Sequence, residues 1–227
     1  MKITYFLYVE RIDFLMNKKD AVKIIEKMKL QYPDATCSLD FKTPFEIVVA
    51  VMLSAQCTDE RVNKTTPRLF SRCPTIEDYL SIPIEELEEI IHPCGFYKNK
   101  AKNIKLCSKQ VHERFNDVVP SNMEDLMSLA GVGRKSANVI LLEAFGIAQG
   151  IAVDTHVKRI STLMGLSKEK EPEKIEKDLI NLFPKKYFKD INHTFIWHGR
   201  NTCISRHPKC DNCCVKDFCK FYKKIGR

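Results

Sequence analysis

The sequence contains no apolar run long enough to cross a membrane and no strand-like alternation of apolar and polar residues. It has no convincing signal peptide, because the short apolar run 3–9 is followed by charged residues rather than a cleavage site. No internal repeat, coiled-coil pattern or large amphipathic surface is present. These absences argue against a membrane-bound, β-rich, secreted or obligately oligomeric protein. They favour an all-α chain that works as a monomer in a reducing cytoplasm.

The charge is positive and unevenly distributed. The net charge is +8. Segment 98–114 has six basic residues against one acidic residue, and segment 200–227 has eight against two, whereas segment 77–89 is an acidic block. A basic chain with one acidic region suits a polyanionic partner, although surplus lysine is also common on solvated faces.

Residues 1–15 look unlike the rest of the chain. Met16 begins an amphipathic helical pattern that runs to residue 30. We expect Met16 to be the natural start and residues 1–15 to be a start-site extension. The alternative of an added N-terminal helix stays open.

Helical patterns account for most of the remaining chain. Pro44 begins a segment that is apolar nearly all round and ends at Ser54, which predicts a buried helix. The other helices are predicted at 59–71, 75–81, 84–92, 97–115, 155–163, 172–182 and 192–198.

A glycine hairpin lies between two further helical patterns. Upstream, Ser121 and Glu124 form an S-x-x-E capping box. Downstream, the apolar pattern runs to Gly146, which is a plausible C-cap. The segment around Leu129–Val139 therefore predicts helix, hairpin, helix.

The hairpin itself reads Gly131-Val132-Gly133-Arg134-Lys135. Its glycines permit a tight turn and a close approach to another molecule, and the N–H groups that begin the second helix can bind a phosphate. A dinucleotide-binding turn would need a preceding strand, which is absent. An ordinary packing corner between two helices is the stronger alternative, so the hairpin by itself favours nucleic acid only modestly.

Four cysteines close to one another near the C-terminus predict a metal centre. Such close thiolates in a reducing compartment are typical of metal ligands. Only one C-x-x-C pair is present, which fits a [4Fe–4S] cluster better than structural zinc. The predicted ligands are Cys203, Cys210, Cys213 and Cys219. Cys214 could replace Cys213 on sequence alone, and the five remaining cysteines are expected to be small buried hydrophobes.

The motifs together resemble those of a known family. They are PFEIVVAVMLSAQCTD at 44–59, LAGVGRKSANV at 129–139, AVDTHVKR at 152–159 and C-x6-C-x2-C-x5-C. In this order and spacing they resemble endonuclease III, a helix-hairpin-helix DNA glycosylase family with an iron–sulfur cluster. The resemblance covers Met16 to the C-terminus. It departs at Ala130, where the family usually has proline, and we expect that loss of stiffness to cost little.

The resemblance implies a two-lobed, all-α fold. A six-helix domain would span 38–147. The N-terminal segment 16–37 would pack with a cluster-bearing domain at 148–227, and the active site would lie in a cleft between the two lobes.

The resemblance also assigns Lys135 as the nucleophile and Asp154 as the essential carboxylate. An amine in a cleft can attack the sugar and form a Schiff base, and a carboxylate can stabilise positive charge on that sugar. The alternatives are a solvated lysine and a plain helix N-cap at Asp154. Capping and catalysis by Asp154 are compatible, because a capping carboxylate is held in position.

Further residues are expected to contact DNA. Gln56 resembles the family residue that fills the gap left by a flipped base, with a polar helix end as an equal alternative. His156 either supports the site or is structural. Arg206, His207 and Lys209 lie in the loop between the first two cluster cysteines, which faces the DNA backbone in this family.

The implied function is that of a bifunctional glycosylase. Its partner would be double-stranded DNA with a damaged or abasic site, and its substrates would be oxidised pyrimidines such as thymine glycol. Related glycosylases that only remove a base generally lack the lysine found here. A monofunctional mismatch glycosylase and a non-catalytic iron–sulfur DNA-binding module remain the rival hypotheses.

Overall fold

The structure is a computed structural model that describes residues 16–226. The predicted start-site extension 1–15 lies outside the described residues. Twelve α-helices are present in the described part: α1 Lys18–Gln31, α2 Pro44–Ser54, α3 Asp59–Arg72, α4 Ile76–Ser81, α5 Ile84–Ile91, α6 Tyr97–Phe115, α7 Met123–Met127, α8 Arg134–Phe145, α9 Thr155–Met164, α10 Pro172–Leu182, α11 Phe188–Asn201 and α12 Lys220–Lys224. No strand occurs between residues 16 and 226, and the all-α prediction is confirmed.

No helix in the described region is both long and apolar enough to span a bilayer. The chain divides into two compact units. The first, which we call the continuous unit, is Cys37–Ile147. The second, which we call the discontinuous unit, combines residues 16–36 with residues 148–226 among those that the structure describes.

The continuous unit is built around α2. Pro44 begins this helix, and Thr43 caps it through a reciprocal capping box with Glu46. Ile47 and Leu53 are completely buried, as the apolar pattern predicts. Helix α2 packs on α3, α6 and α8, while α4 and α5 pack on α6. The long helix α6 therefore packs against three of the other helices of this unit.

The discontinuous unit brings the two ends of the chain together. Helix α1 packs against α11, and α11 packs against α9. Ile24 and Met28 of α1 are completely buried in one core with Ile160 of α9 and Phe195 of α11. Lys29 of α1 also donates to the carboxylate of Asp190, with an Nζ–Oδ2 distance of 2.7 Å.

Two local predictions were wrong in detail. The cap before the hairpin is Asn122 rather than Ser121: its side chain accepts the Asp125 N–H at 2.9 Å and donates to the Asp125 carboxylate at 2.7 Å. Asparagine caps at least as well as serine, so the helix starts one residue later than the S-x-x-E pattern indicates. The helix predicted at 192–198 extends over Phe188–Asn201, because Phe188 and Ile191 continue its buried face.

Candidate functional site

The glycine hairpin turns at a position that strongly favours glycine. Gly131 has a φ of +77°, and a Cβ there would lie 3.1 Å from the Cβ of Asn103 on α6. Val132 is buried between the two glycines. The turn is therefore fixed by backbone conformation and by packing against α6.

Side chains of α6 hold the hairpin in place. Gln110 accepts the Ala130 N–H at 2.7 Å through Oε1, and its Nε2 donates to the Ser128 carbonyl at 3.4 Å. Arg114 donates to the Ser128 hydroxyl at 2.9 Å. A proline at position 130 would have no N–H to donate. Ala130, which stands where the family usually has proline, therefore makes a hydrogen bond to Gln110 that proline could not make. This contact offsets the lost stiffness.

The start of α8 presents donors and cations to solvent. Gly133 is the N-cap and has no side chain to satisfy the first N–H groups. The N–H groups of Gly131 and Gly133 make no hydrogen bond to the described part of the chain. Arg134 and Lys135 are both exposed in the first turn of the helix. This arrangement can bind an anion and expose an amine beside it.

Gln56 lies in the loop after α2. It is exposed and has a φ of +54°, which is rare for a residue with a side chain. The same unit contains a second such residue that the sequence interpretation missed. Phe96, directly before α6, has a φ of +49° and is 64% exposed. The signal for it in the sequence is an aromatic residue beside Gly95 at the start of a basic helix.

Asp154 caps α9, the role that the sequence analysis left open beside catalysis. Its Oδ1 accepts the Val157 N–H at 2.8 Å, so the carboxylate is held in one orientation. The segment leading to it is held by two buried side chains. Glu176 accepts the Ile151 N–H at 3.3 Å, and Asn192 accepts the Ala152 N–H at 2.9 Å. The sequence interpretation missed both of these supporting residues.

His156 faces α11 at Gly199. A Cβ on Gly199 would come within 2.6 Å of the His156 Nδ1 atom. Arg159, one turn along α9, donates to the carbonyls of Gly199 at 3.0 Å and Cys203 at 2.7 Å. This end of α9 is therefore tied to the chain segment that carries the first cysteine of the predicted centre.

The four predicted thiols line a single pocket. Cys203, Cys210, Cys213 and Cys219 lie around it with Leu163, Met164, Phe221 and Tyr222 among their neighbours. Cys214 is not among the lining residues in the described chain, which distinguishes it from Cys213. Burial raises the pKa of Cys203 to about 11 and that of Cys213 to about 12. Thiols this hard to ionise become thiolates when a metal binds them.

A buried histidine borders the same pocket. His198 is completely buried, and its Nε2 atom lies 3.7 Å from the Cys213 sulfur. Its Nδ1 atom lies 3.1 Å from the Tyr32 hydroxyl, which in turn lies 2.7 Å from the Thr202 hydroxyl. Burial lowers the pKa of His198 to about 4, so the ring is neutral near pH 7.

No group of three or more His, Cys, Asp or Glu side chains between residues 16 and 226 is arranged to hold a metal ion.

The loop between the first two of these cysteines carries the predicted basic residues. Arg206 and Lys209 are exposed. The Lys209 N–H donates to the Thr202 carbonyl at 2.9 Å, which closes the base of the loop.

The structure distributes the predicted site residues between the two units. The continuous unit contains Gln56, the hairpin and Lys135. The discontinuous unit contains Asp154, His156, the four thiols and the basic loop.

Comparison with known proteins gives a consistent result. The family model described as HhH-GPD superfamily base excision DNA repair protein matches residues 49–185. The endonuclease III of Synechocystis sp. is 48% identical over 89% of this chain and 92% of its own length. A solved endonuclease III–DNA complex and a trapped covalent endonuclease III–DNA intermediate each match with a TM-score of 0.88 and 40% identity. Each match covers 94% of this chain and 100% of the solved one. The chain therefore belongs to the endonuclease III family within the HhH-GPD superfamily of base excision DNA repair proteins.

Proposed function

We propose that this protein removes oxidised pyrimidines of the thymine glycol type from duplex DNA and then cleaves the abasic site through Lys135. Family membership makes the chain a base-excision DNA glycosylase with abasic-site lyase activity. One observation supports the choice of residue. Lys135 is an exposed amine in the first turn of α8, directly after a glycine hairpin in which the Gly131 and Gly133 N–H groups make no hydrogen bond to the described part of the chain.

The proposed reaction begins when the damaged nucleotide leaves the base stack. The neutral amine of Lys135 attacks C1′, and the base departs with the electron pair of the glycosidic bond and takes up a proton. The sugar ring then opens to give a protonated Schiff base. Loss of a proton from C2′ expels the 3′ phosphate with its bonding electrons, and water finally releases the lysine.

Asp154 would stabilise the positive charge that develops on the sugar. Its hydrogen bond from the Val157 N–H keeps the carboxylate fixed, and fixed charges stabilise a transition state without reorganisation. Glu176 and Asn192 hold the preceding backbone and so would act as positioning residues.

The hairpin residues Gly131 to Arg134 would bind a DNA phosphate. Gln56 would fill the space left by the extruded nucleotide, and Arg206 and Lys209 would bind the backbone phosphates. His156 packs at Gly199 and would support this region. Neutralising one phosphate-binding side chain should reduce the salt dependence of DNA binding by about one unit of slope.

The thiol pocket fits a [4Fe–4S] cluster held by Cys203, Cys210, Cys213 and Cys219. Four cysteine thiolates are the usual ligands of such a cluster, and these four thiols line one pocket. The cluster would fix the fold of the basic loop, and its sulfurs and irons would stay outside the bond-breaking steps.

We further propose that the protein acts in the compartment that contains the DNA, which is the cytoplasm of a bacterium or the nucleus of a eukaryote. Its partner would be duplex DNA with a damaged or abasic site, bound by a monomer.

The decisive experiment is borohydride trapping on duplex DNA that carries one thymine glycol. We expect a covalent adduct with the wild type and none with Lys135→Gln. Lys98→Gln is the matched control, because Lys98 is also exposed at the second position of a helix. Asp154→Asn keeps a capping side chain, so it should fold normally and react about a hundredfold or more slowly.

Other outcomes separate the alternatives. Undiminished trapping with Lys135→Gln would contradict the assignment of the nucleophile. Alkali-labile sites without an adduct would identify a monofunctional glycosylase. No base release from any oxidised pyrimidine would favour a non-catalytic DNA-binding module.

A further inference from the structure

Four exposed residues of the continuous unit other than glycine adopt a left-handed backbone: Gln56, Phe96, Asn116 and Asp117. Asparagine and aspartate adopt this conformation readily, whereas glutamine and phenylalanine rarely do. Gln56 follows the end of α2, and Phe96 precedes the start of α6. Each lies in a short loop next to a buried segment. Strained, exposed residues of this kind persist only where the surrounding structure fixes them, and they cluster at functional sites.

One buried lysine joins the bases of both loops. Lys100 is 6% exposed, and its ammonium donates to the Leu53 carbonyl at 2.8 Å and to the Cys94 carbonyl at 2.9 Å. Leu53 lies three residues before Gln56, and Cys94 lies two residues before Phe96. Burial lowers the pKa of Lys100, so its charge is kept at a cost that the two carbonyls offset.

The thiols of the same two loops also meet. Burial raises the pKa of the Cys94 thiol, and the nearby thiol of Cys57, the residue after Gln56, raises it further. The loops that present Gln56 and Phe96 are therefore in contact with each other, and Lys100 is the charged group that connects their backbones.

We propose that Lys100 is a positioning residue for DNA distortion: its ammonium fixes the spacing between Gln56 and Phe96, so that both can enter the duplex where the damaged nucleotide leaves it. A polar residue can take the place of the extruded base, while an exposed aromatic ring can wedge between stacked bases. This inference rests on the proposed function, because a spacing between two inserted residues has a use only in an enzyme that extrudes a nucleotide.

The same helix supplies a matched control. Lys105 also donates to two backbone carbonyls, those of Leu80 at 2.8 Å and Ile82 at 2.6 Å. Those carbonyls lie at the connection between α4 and α5 and touch neither loop residue. Lys100→Met and Lys105→Met therefore remove the same kind of hydrogen bond from the same helix, and only the first removes it from the loops.

The test compares the two variants in three measurements. The first is the stability to denaturant. The second is the fluorescence of 2-aminopurine placed beside a tetrahydrofuran abasic analogue, which reports unstacking on binding without any chemistry. The third is turnover of duplex thymine glycol against cleavage of a single-stranded abasic oligonucleotide, which needs no extrusion.

We expect similar losses of stability in both variants. Only Lys100→Met should lose the fluorescence rise and about a hundredfold of its turnover on duplex DNA, a loss typical of small displacements in an active site. Both should cleave the single-stranded abasic substrate like the wild type. If Lys100→Met does not fold, Lys100→Arg and Lys105→Arg are compared in the same way, because arginine keeps the charge and shifts the donors.

Equal fluorescence and equal duplex turnover in the two variants would overturn the role of Lys100. A wild type that releases no base would instead refute the proposed function. In that case the 2-aminopurine fluorescence of the duplex with the tetrahydrofuran analogue still tests the role of Lys100. A fluorescence increase on binding that is lost only in Lys100→Met supports that role. Any other pattern overturns it.

Discussion

The two units are stabilised in different ways. The continuous unit has a large apolar core to which every helix from α2 to α8 contributes. The discontinuous unit has a smaller apolar core and more buried polar side chains, among them Glu176, Asn192 and His198. Burial of apolar side chains needs no directional partner, whereas a buried polar group is stabilised only by a hydrogen bond with suitable geometry. The discontinuous unit therefore depends more on specific contacts.

The contrast is greatest in the last part of the discontinuous unit. Between residues 202 and 226 only Val215 is fully buried, and α12 has five residues. The burial of apolar side chains in such a segment does not offset the conformational entropy that the segment loses on folding. A cluster bound by four thiolates would supply the missing stabilisation. Removing one thiol should therefore destabilise the discontinuous unit and leave the continuous unit intact.

The largest expected effect is therefore on the thiol pocket. Cys213→Ser should abolish the visible absorbance of the cluster and destabilise the discontinuous unit by about 4 kcal/mol or more, as expected when a metal centre is lost. Hydrogen exchange followed by mass spectrometry should find residues 202–226 unprotected and the continuous unit still protected. Cys214→Ser is the matched control, because this neighbouring thiol does not line the pocket in the described chain. Equal effects of the two substitutions would refute the ligand assignment.

A core substitution should produce the opposite pattern. Leu87 of α5 is completely buried in the continuous unit. We expect Leu87→Ala to cost about 2–5 kcal/mol through reduced burial and the cavity left behind. Exchange should then accelerate in Cys37–Ile147, while α1 and α11 stay protected. Leu30→Ala, at a leucine that is 83% exposed, should change stability by less than about 0.5 kcal/mol. Loss of protection in both units together would contradict their separate stabilisation.

The smallest effect is expected for each unit of pH in alkaline solution. Burial raises the pKa of Cys107, in the continuous unit, from its ordinary value of 9.0 to about 12. Between these values the folded state keeps a proton that the unfolded chain loses, so stability falls as pH rises, by about 1.4 kcal/mol per pH unit for this thiol. Cys107→Ala should flatten that slope above pH 9, whereas Ser108→Ala, its buried neighbour, should leave it unchanged. An unchanged slope in Cys107→Ala would show that the thiol ionises equally in both states.

Much of the fold was predictable from local patterns. The buried helix from Pro44 to Ser54 and the glycine at the end of α8 were predicted, and the structure confirms them. The cap at Asp154, which the sequence left open as an alternative to catalysis, is present. The error at Ser121 concerned a choice between adjacent residues that both cap well, which local preference cannot decide. The extent of α11 was underestimated because its buried positions become apparent only when α1 and α9 are packed against it.

The residues of the candidate site were predictable where they belong to a short sequence motif. The hairpin, Lys135 and the spacing of the cysteines are all contained in short stretches of sequence. Phe96 and Lys100 were missed because one is an ordinary aromatic residue and the other one lysine among several in a basic helix. Only their backbone conformation and burial distinguish them.

The sequence by itself determined the helices, their caps, the hairpin and the four-thiol motif, because these depend on backbone preferences and periodicity over a few residues. The tertiary structure alone decided that Cys213 rather than Cys214 lines the pocket, that Gln110 takes up the Ala130 N–H, and that Lys100 joins two loops. The physical reason is separation along the chain. Lys100 and Leu53 are 47 residues apart, and a hydrogen bond over that distance exists only once the helices between them have packed.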